Sequence, residues 1–313
     1  MTLEQTKKLE DFINTRYMRN ILINKPDLLD FNKINVIYLN KISEKPPIIS
    51  IVMPIFNQEE IIVDNIKSII KHTTVFNYEL ILIIDCCSDN TENKILEYMK
   101  ENNYSSNLIK ITILKSNIPL FETSADNLGF IISEGKYILE IQADMKMTET
   151  GYNVKLLKPF LKYDTVIGVS GRCCHNLTNN KGIGKLGYSI EQPLNNDIDK
   201  NAFYVAETCN RGPLMLDVSK LKELGYLDER NFYLDNSDHD LFCRAYYFKK
   251  WICGYIPIEF ESELKNGSTR KPRDEINKKW LDIRKEMSKN NSGFIYKYLM
   301  SKPTSREIIK YSL

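Results

Sequence analysis

Apolar runs alternate with stretches of helical spacing between residues 46 and 147. PPIISIVMPIFN (46–57) predicts a buried strand that ends in a turn, and EEIIVDNIKSIIKHT places apolar residues at 61, 62, 66, 69 and 70, close to helical spacing. There follow, in order, strand YELILIID, helix SDNTENKILEYMKENN, strand LIKITILKS, helix TSADNLGFIISEG and strand KYILEIQAD. Strands that alternate with helices predict an α/β fold with a mostly parallel sheet and helices on both faces.

The pattern is weaker after residue 150. LMLDVSKLKELG predicts a strand and a helix, NFYLDNSDHDLFCRAYYFKK an acidic loop that enters a helix, and WICGYIPIEF a strand, while 173–206 is polar and Asn-rich and predicts loops with short strands. The amphipathic spacing of 3–23 and the segment DEINKKWLDIRKEMSK predict helices at the two ends. We therefore expect one domain over 46–273, a helical extension at 1–45 and a helical tail at 274–313, with KNGSTRKPR as a mobile basic loop before the tail.

Polar side chains follow the ends of three predicted strands. Asn57 comes after the first strand, Asp85, Ser88 and Asp89 come at and after the end of the second, and Asp144 closes the fourth. In open α/β sheets, ligands bind beyond the carboxyl ends of the strands. These side chains are therefore predicted to converge on one crevice.

Composition narrows the class of protein. The 313 residues carry 43 Lys and Arg against 41 Asp and Glu, a formal charge of +2 that argues against wholesale binding to nucleic acid or an anionic membrane. Seven cysteines without CxxC spacing and only three histidines indicate reduced thiols and no structural zinc. The start is charged and no apolar run approaches a membrane span, so we expect a cytoplasmic protein that is peripheral to a membrane at most.

Several motifs in order resemble the family-2 inverting glycosyltransferases, whose fold is the nucleotide-binding GT-A sheet. SIVMPIFNQEE is similar to the first strand and Pro-x-Tyr/Phe-Asn turn of that family, and YELILIIDCCSDNT to its second strand and acidic loop. ADNLGFIISEGKYILEIQAD resembles the Arg-Asn-x-Gly helix, the Gly-Glu-Tyr turn and the Asp-x-Asp strand. LKELGYLDERNFYLDNSDHDLFCRAYYFKKWICGYIP resembles the Glu-Asp acceptor motif with the segments around it. The resemblance implies a nucleotide-sugar half at 46–147 and an acceptor half at 148–273.

Four positions depart from the family pattern. Cys86 stands where the family has a second acid after Asp85, and Asp126 stands where it has an arginine. Gln142 replaces the first acid of Asp-x-Asp, and Ser237 replaces the glutamate of Glu-Asp. No histidine follows the closing strand, where many members have one near the metal. These departures bear on donor chemistry more than on the fold.

The resemblance implies a metal ligand at Asp144, the last acid of the degenerate Asp-x-Asp motif. A Mn²⁺ or Mg²⁺ ion that bridges diphosphate oxygens needs oxygen ligands, and Mg²⁺ is often held by one or two carboxylates plus phosphates and water. Gln142 can still hydrogen-bond a ribose or sugar hydroxyl. The alternative for Asp144 is a helix or turn cap. Lys146 is either a second cation for the diphosphate or a solvated loop lysine.

The same resemblance implies a general base at Asp238. A carboxylate there takes the proton of the acceptor hydroxyl as the oxygen attacks the anomeric carbon, with inversion. The alternative is an acidic first turn at the positive end of a helix dipole. Asp240 is expected to be structural and to pair with Arg244 one turn later. His239 is a weaker candidate for a contact to the metal or acceptor.

The remaining predicted contacts are to the nucleotide sugar. Asp85 and Ser88 are assigned to the base and ribose, although Ser88 and Asp89 also suit a helix cap. Asn127 is equally suited to a ligand or a cap. The full predicted nucleotide-sugar set is Pro54, Asn57, Asp85, Ser88, Asn127, Gln142, Ala143, Asp144 and Arg211.

Three functions remain open at this point. The first is inverting transfer of a sugar, from a UDP-sugar by family habit, to a hydroxyl of a glycan or protein. The second is a catalytically inactive, glycosyltransferase-like nucleotide-binding or scaffold protein, for which the four departures speak. The third, a sugar nucleotidylyltransferase, would need a Gly-rich phosphate loop that MPIFNQEE does not supply.

Overall fold

The computed structural model describes residues 33–101, 104–185, 198–263, 267, 275–289, 293–301 and 303–313. The predicted helix at 3–23 and, apart from Gly267, the predicted basic loop at 265–273 lie outside the described residues. The strands are β1 (Ile34–Lys41), β2 (Ile49–Ile55), β3 (Tyr78–Asp85), β4 (Leu108–Ser116), β5 (Tyr137–Glu140), β6 (Lys146–Met147), β7 (Val166–Ser170), β8 (Cys173–Asn176), β9 (Lys181–Gly184), β10 (Ala202–Ala206), β11 (Thr208–Cys209), β12 (Leu214–Asp217), β13 (Ile252–Tyr255), β14 (Phe260–Glu261) and β15 (Ile309–Ser312).

The helices occur where apolar residues have helical spacing. They are α1 (Ile62–His72), α2 (Thr91–Met99), α3 (Phe121–Ile132), α4 (Tyr152–Lys162), α5 (Val218–Glu223), α6 (Ser237–Lys249), α7 (Glu275–Lys289) and α8 (Phe294–Met300). Within the described ranges, none of these helices has the length and apolar character needed to cross a bilayer.

One large sheet organises the chain. Among the described residues it has ten strands in the order β1-β4-β3-β2-β5-β12-β7-β13-β10-β15. Strands β4, β3, β2 and β5 run parallel, whereas β12 is antiparallel to both of its neighbours. Small sheets β11-β8-β9 and β14-β6 lie beside it. The predicted α/β fold with a parallel core is confirmed. Because β2, β3 and β5 are parallel, their carboxyl ends lie together at the same end of the strands.

Helices cover both faces of this sheet because alternate residues of each strand face opposite sides. Ile51 and Met53 of β2 belong to the core that includes α1 and α4, and Val52 belongs to the core that includes α3. Gly129 lets α3 lie close to the sheet, since a Cβ there would come within 2.3 Å of Val52 Cγ1. This close packing places the first turns of α3 beside the end of β5.

The prediction of a helical extension at 1–45 was wrong for the part that the structure describes. Ile34–Lys41 is strand β1, which pairs antiparallel with β4 at the edge of the sheet. Its partly buried Ile34 and Val36 alternate with the exposed Asn35, the pattern of a strand with one covered face. The tail from 274 contains helices α7 and α8 as predicted, but β15 then joins the other edge by pairing with β10.

Candidate active site

The carboxyl ends of β2 and β3 are joined through Asn57 and Ser88. Asn57 Nδ2 donates to Ser88 Oγ (3.1 Å), and the Ser88 N–H donates to Asn57 Oδ1 (2.8 Å). Asn57 has a φ of 48°, in the left-handed region where asparagine is enriched. Pro54 lies three residues earlier, inside β2 and paired in register with Ile83. The structure therefore brings these two predicted nucleotide residues together at the strand ends.

Acidic side chains beside this pair hold the starts of helices. Asp89 accepts hydrogen bonds from the Thr91 N–H (3.0 Å) and the Glu59 N–H (3.2 Å), which supports its alternative role at the start of α2. Asp85 is buried, and its two carboxylate oxygens accept from the backbone N–H groups of Leu120 (2.6 Å) and Phe121 (2.9 Å). Asp85 thus fixes the start of α3, and its contact to a nucleotide base stays a prediction.

The turn after β5 presents Asp144. The Ala143 carbonyl accepts from Asn65 Nδ2 (2.8 Å), and Gln142 Nε2 donates to Glu122 Oε1 (2.5 Å), so the turn is held from two helices. Asp144 itself is half-buried. A partly exposed carboxylate at a strand end is the kind of oxygen donor that Mn²⁺ and Mg²⁺ take, so this residue fits the implied ion.

Lys146 follows on strand β6 and faces solvent. Half of its side chain is exposed, and its ammonium lies 3.7 Å from the Glu261 carboxylate, itself 66% exposed. An exposed pair of this kind is worth about 0–1 kcal/mol. The geometry supports the interpretation of Lys146 as a solvated lysine.

Asp238 lies buried in the first turn of α6 with both carboxylate oxygens in hydrogen bonds. Oδ2 accepts from the Arg211 N–H (3.0 Å) and Oδ1 from the His239 N–H (2.9 Å). Burial would raise the pKa of Asp238, but the charges of His239 and Arg211 and these two backbone donors outweigh it and lower the pKa to about 2. Asp238 is therefore ionised at neutral pH, the form that accepts a proton.

Two histidine rings meet next to this carboxylate. His239 Nδ1 is 3.8 Å from Asp238 Oδ1, and the His175 ring packs edge-on against the His239 ring with centroids 4.6 Å apart. Burial, followed by the neighbouring His239, lowers the pKa of His175 to about 4. His175 comes from β8, inside the Asn-rich segment whose role the sequence did not indicate.

Arg211 is buried among acidic side chains instead of reaching into the crevice. Its Nη1 donates to Asp126 Oδ2 (2.7 Å). Its Nη2 donates to the Leu234 carbonyl (2.5 Å) and also lies 3.5 Å from Glu122 Oε2. Arg211 thus places a positive charge against Asp126, the residue for which the resemblance implies an arginine in the family. The predicted contact of Arg211 to the nucleotide sugar stays untested.

Sequence reasoning missed a cluster of three acids beneath this site. Carboxylate oxygens of Glu122, Asp126 and Glu140 lie within 4.8 Å of one another. Burial raises the pKa of Asp126 to about 7 and that of Glu140 well above its ordinary value, and neighbouring carboxylates add to both shifts. The cluster is close enough to hold an ion, but the Arg211 guanidinium already opposes its charge. A glutamate in the apolar run KYILEIQAD was the signal that could have revealed it.

Asn127 of α3 is bonded to the segment before α6. Its side chain is fully buried, and its Nδ2 donates to the Leu227 carbonyl (2.9 Å) and to Glu229 Oε2 (2.6 Å). Its Oδ1 accepts from the Leu227 N–H (3.0 Å). These bonds tie α3 to the segment before α6 and support the structural alternative for Asn127.

Asp240 pairs with Arg244, as predicted. Arg244 Nε donates to Asp240 Oδ2 (2.7 Å), and its other nitrogens donate to the Leu224 and Tyr226 carbonyls. The Ile295 N–H donates to Asp240 Oδ1 (2.9 Å). Asp240 therefore joins α6 to α8, while Asp238 two residues earlier faces the Arg211 segment.

Comparisons with known proteins bear on the family and the fold. The model of the family described as Glycosyl transferase family 2 matches residues 50–224. A structure of GalNAc-T7 with UDP, GalNAc and Mn²⁺ is similar in fold, with a TM-score of 0.56 and 15% identity over 83% of this chain and 55% of that chain. No curated protein sequence matches the chain.

Two further solved structures are less similar. TarS 1-349 from S. aureus has a TM-score of 0.48 and 14% identity over 80% of this chain and 68% of that chain. Mannosyltransferase PcManGT from Pyrobaculum calidifontis, with GDP-Man and Mn²⁺, has a TM-score of 0.49 and 12% identity over 96% of this chain and 88% of that chain. The chain spans 37% of the longer TarS chain.

Proposed function

Because the chain belongs to glycosyltransferase family 2, we propose that it transfers a sugar, with inversion, from a nucleotide donor to a hydroxyl of a glycan or protein. UDP-sugars are the favoured donors, since the GalNAc-T7 structure of similar fold contains UDP. In this proposal Asp238 is the general base and Asp144 holds a divalent metal ion. The crevice at the carboxyl ends of β2, β3 and β5 is where the donor binds.

The observation that carries the proposal is the position of the Arg211–Gly212 turn between the two acids. The Arg211 N–H holds Asp238, and a Cβ on Gly212 would come within 2.8 Å of Gln142 Oε1. Asp238 and the Gln142–Asp144 turn therefore flank one short segment of backbone. A base and a donor site must be this close if an acceptor oxygen is to reach the anomeric carbon.

Asp238 would act as the acceptor oxygen attacks the anomeric carbon. The new carbon–oxygen bond forms as the bond to the nucleoside diphosphate breaks, and the hydroxyl proton passes to a carboxylate oxygen of Asp238. A carboxylate with a pKa of about 2 is a weak base, so it takes the proton only as bond formation makes the hydroxyl acidic. A metal ion held by Asp144 would neutralise charge on the departing diphosphate.

A binding protein without turnover is the second candidate, and the contact of Gln142 favours it. The Gln142 amide donates to Glu122, so the side chain that replaces the first acid of Asp-x-Asp hydrogen-bonds another residue of the protein. Ser237 likewise carries no charge. Its Oγ accepts a hydrogen bond from Thr123 Oγ1 (3.1 Å). Such a protein would bind the nucleotide and leave the sugar in place.

Slow donor hydrolysis separates the two candidates without knowledge of the acceptor. The purified chain is incubated with UDP- and GDP-sugars in Mn²⁺ or in EDTA, and free nucleotide is measured. Asp144→Ala is compared with Asp164→Ala. Asp164 is an exposed aspartate just before β7, which runs in the same direction as β5, so it lies at the amino-terminal ends of these strands, opposite to Asp144. We expect Mn²⁺-dependent release from one donor, lost only in Asp144→Ala. Nucleotide binding by calorimetry without release would favour the binding protein, and no binding at all would contradict the donor site.

A further inference from the structure

Three acids from three elements hold the Arg211–Gly212 turn. The Gly212 N–H donates to Glu140 Oε2 of β5 (2.8 Å), and the Arg211 guanidinium donates to Asp126 of α3 (2.7 Å). The Arg211 N–H donates to Asp238 of α6 (3.0 Å). The orientation of Asp238 therefore depends on where Glu140 and Asp126 hold this turn.

Two oxygens of this group have no hydrogen-bond partner in the structure. They are Asp126 Oδ1 and Glu140 Oε1, and both residues are fully buried. A buried acceptor without a partner costs about 1–3 kcal/mol, and more when it is charged. Carboxylate oxygens of the two residues lie within 4.8 Å of each other. A proton held on either carboxyl group removes one of the two negative charges and turns one unpaired acceptor into a donor.

The charges around the pair also favour a bound proton. Glu122 acts on both members of the pair from α3, Asp238 acts on Asp126 from α6, and Arg211 acts on both from the segment before β12. If all the carboxylates were ionised, Glu122, Asp126, Glu140 and Asp238 would confront a single guanidinium. Burial raises the pKa of Glu140 well above its ordinary value, and the neighbouring Asp126 carboxylate raises it further.

We propose that Glu140 carries a proton that it shares with Asp126, and that this pair is a positioning device that holds the Arg211–Gly212 turn and thereby aims Asp238. The inference rests on the proposed transferase activity. Ionised Glu140 would repel Asp126, and the turn that both residues hold would shift. A displacement of about 1 Å at a reacting group can lower a rate by about 10²-fold.

Glutamine and leucine at position 140 distinguish a neutral hydrogen-bonding group from a merely filled cavity. Glu140→Gln keeps an acceptor for the Gly212 N–H and a donor for Asp126, whereas Glu140→Leu keeps only bulk. Glu79→Gln is the matched control, because Glu79 is as buried in strand β3 of the same sheet, with β2 between β3 and β5, and accepts a hydrogen bond from Ser50 Oγ (2.6 Å) outside the cluster.

The full chain is assayed with the donor that the nucleotide-release panel identifies. We expect kcat within about threefold of wild type for Glu140→Gln and Glu79→Gln, and a loss of about 10²-fold for Glu140→Leu with the donor KM little changed. Circular dichroism and UDP binding by calorimetry establish that each variant is folded. Equal loss in Glu140→Gln and Glu140→Leu would overturn the shared proton, and full activity of Glu140→Leu would overturn the positioning role.

An activity-independent measurement keeps this inference separate from the proposed function. A protonated carboxyl group has an infrared carbonyl band that an ionised one lacks. We expect one component of this band to disappear in Glu140→Gln, to shift in Asp126→Asn and to persist in Glu79→Gln. Absence of that band at neutral pH would refute the shared proton even in an active enzyme. A wild-type chain that shows the band but turns over no donor would refute the transferase and the positioning of its base, and leave the proton pair.

Discussion

The Arg211 N–H donates a hydrogen bond of 3.0 Å to Asp238 Oδ2 and so fixes one oxygen of the carboxylate. The other oxygen accepts from the His239 N–H within α6 itself. One bond is local and the other crosses to a segment 27 residues away, so the carboxylate is aimed jointly by its helix and by a turn that distant acids hold.

Replacement of Asp238 should lower turnover strongly without loss of the nucleotide site. Asp238→Asn keeps an oxygen for the Arg211 N–H but removes the charge that accepts a proton, so we expect kcat to fall by about 10²–10⁴-fold. UDP affinity, measured by calorimetry, should stay within about threefold. Asp235→Asn, an exposed change three residues earlier, serves as the control and should leave kcat unaltered. An Asp238→Asn variant as active as wild type would exclude this carboxylate as the base.

Removal of Lys146 should have little effect on nucleotide binding. Its ammonium faces solvent beside Glu261, so Lys146→Ala should change the dissociation constant for UDP and Mn²⁺ by less than about threefold. The measurement is calorimetry at low ionic strength, where any contribution of the charge is largest. A tenfold loss would mean that this lysine pairs with the diphosphate after all.

Loss of the Arg244 side chain should destabilise the fold and leave the chemistry intact. Asp240 is fully buried, so Arg244→Ala leaves an uncompensated charge and should lower the free energy of unfolding by about 3–5 kcal/mol. Urea denaturation measures this. Glu261→Ala breaks the exposed pair with Lys146 and should cost at most about 1 kcal/mol. Equal effects of the two variants would contradict the buried geometry.

A side chain at Gly129 should weaken the packing of α3 on the sheet. The new Cβ of Gly129→Ala would lie 2.3 Å from Val52 Cγ1, and overpacking of this kind costs about 1–3 kcal/mol. The double variant Gly129→Ala/Val52→Ala removes the opposing methyl groups and should show a favourable coupling in urea denaturation. Strictly additive effects would indicate that the clash is relieved elsewhere.

Stability should depend on pH through Glu140. Its pKa in the folded state is raised above the ordinary 4.5, mainly by burial, so the folded chain binds this proton more tightly than the unfolded chain. The resulting stability is present below pH 4.5 and is lost as the pH rises through the folded pKa, by up to about 1.4 kcal/mol per pH unit.

Glu140→Gln removes this titration, so its free energy of unfolding relative to wild type should rise with pH above 4.5. Glu79→Gln should change the slope in the same direction, since burial also raises the pKa of Glu79. Denaturant titrations between about pH 5 and 8 measure both differences. Parallel curves for wild type and Glu140→Gln would show that this proton does not bind more tightly on folding.

Local pattern was sufficient for the parallel core of the fold. The apolar runs of β2 to β5 and the helical spacing of α1 to α3 are properties of neighbouring residues, and they appear where predicted. The edges were harder to predict because β1 mixes polar with apolar residues, β15 has only four residues, and each pairs with a single neighbour, β4 or β10. Ile34–Lys41 was consequently assigned to a helical extension.

The sequence by itself determined the order of strands and helices from β2 to β5, the α/β class and the identity of the acids at the strand ends, because these follow from periodicity over a few residues. Only the tertiary structure decided which charges face one another. Asp126 meets Arg211 across 85 residues, and Glu140 meets the Gly212 N–H across 72. Burial and partners set the pKa of a carboxyl group, and both depend on packing between elements that are distant in the chain.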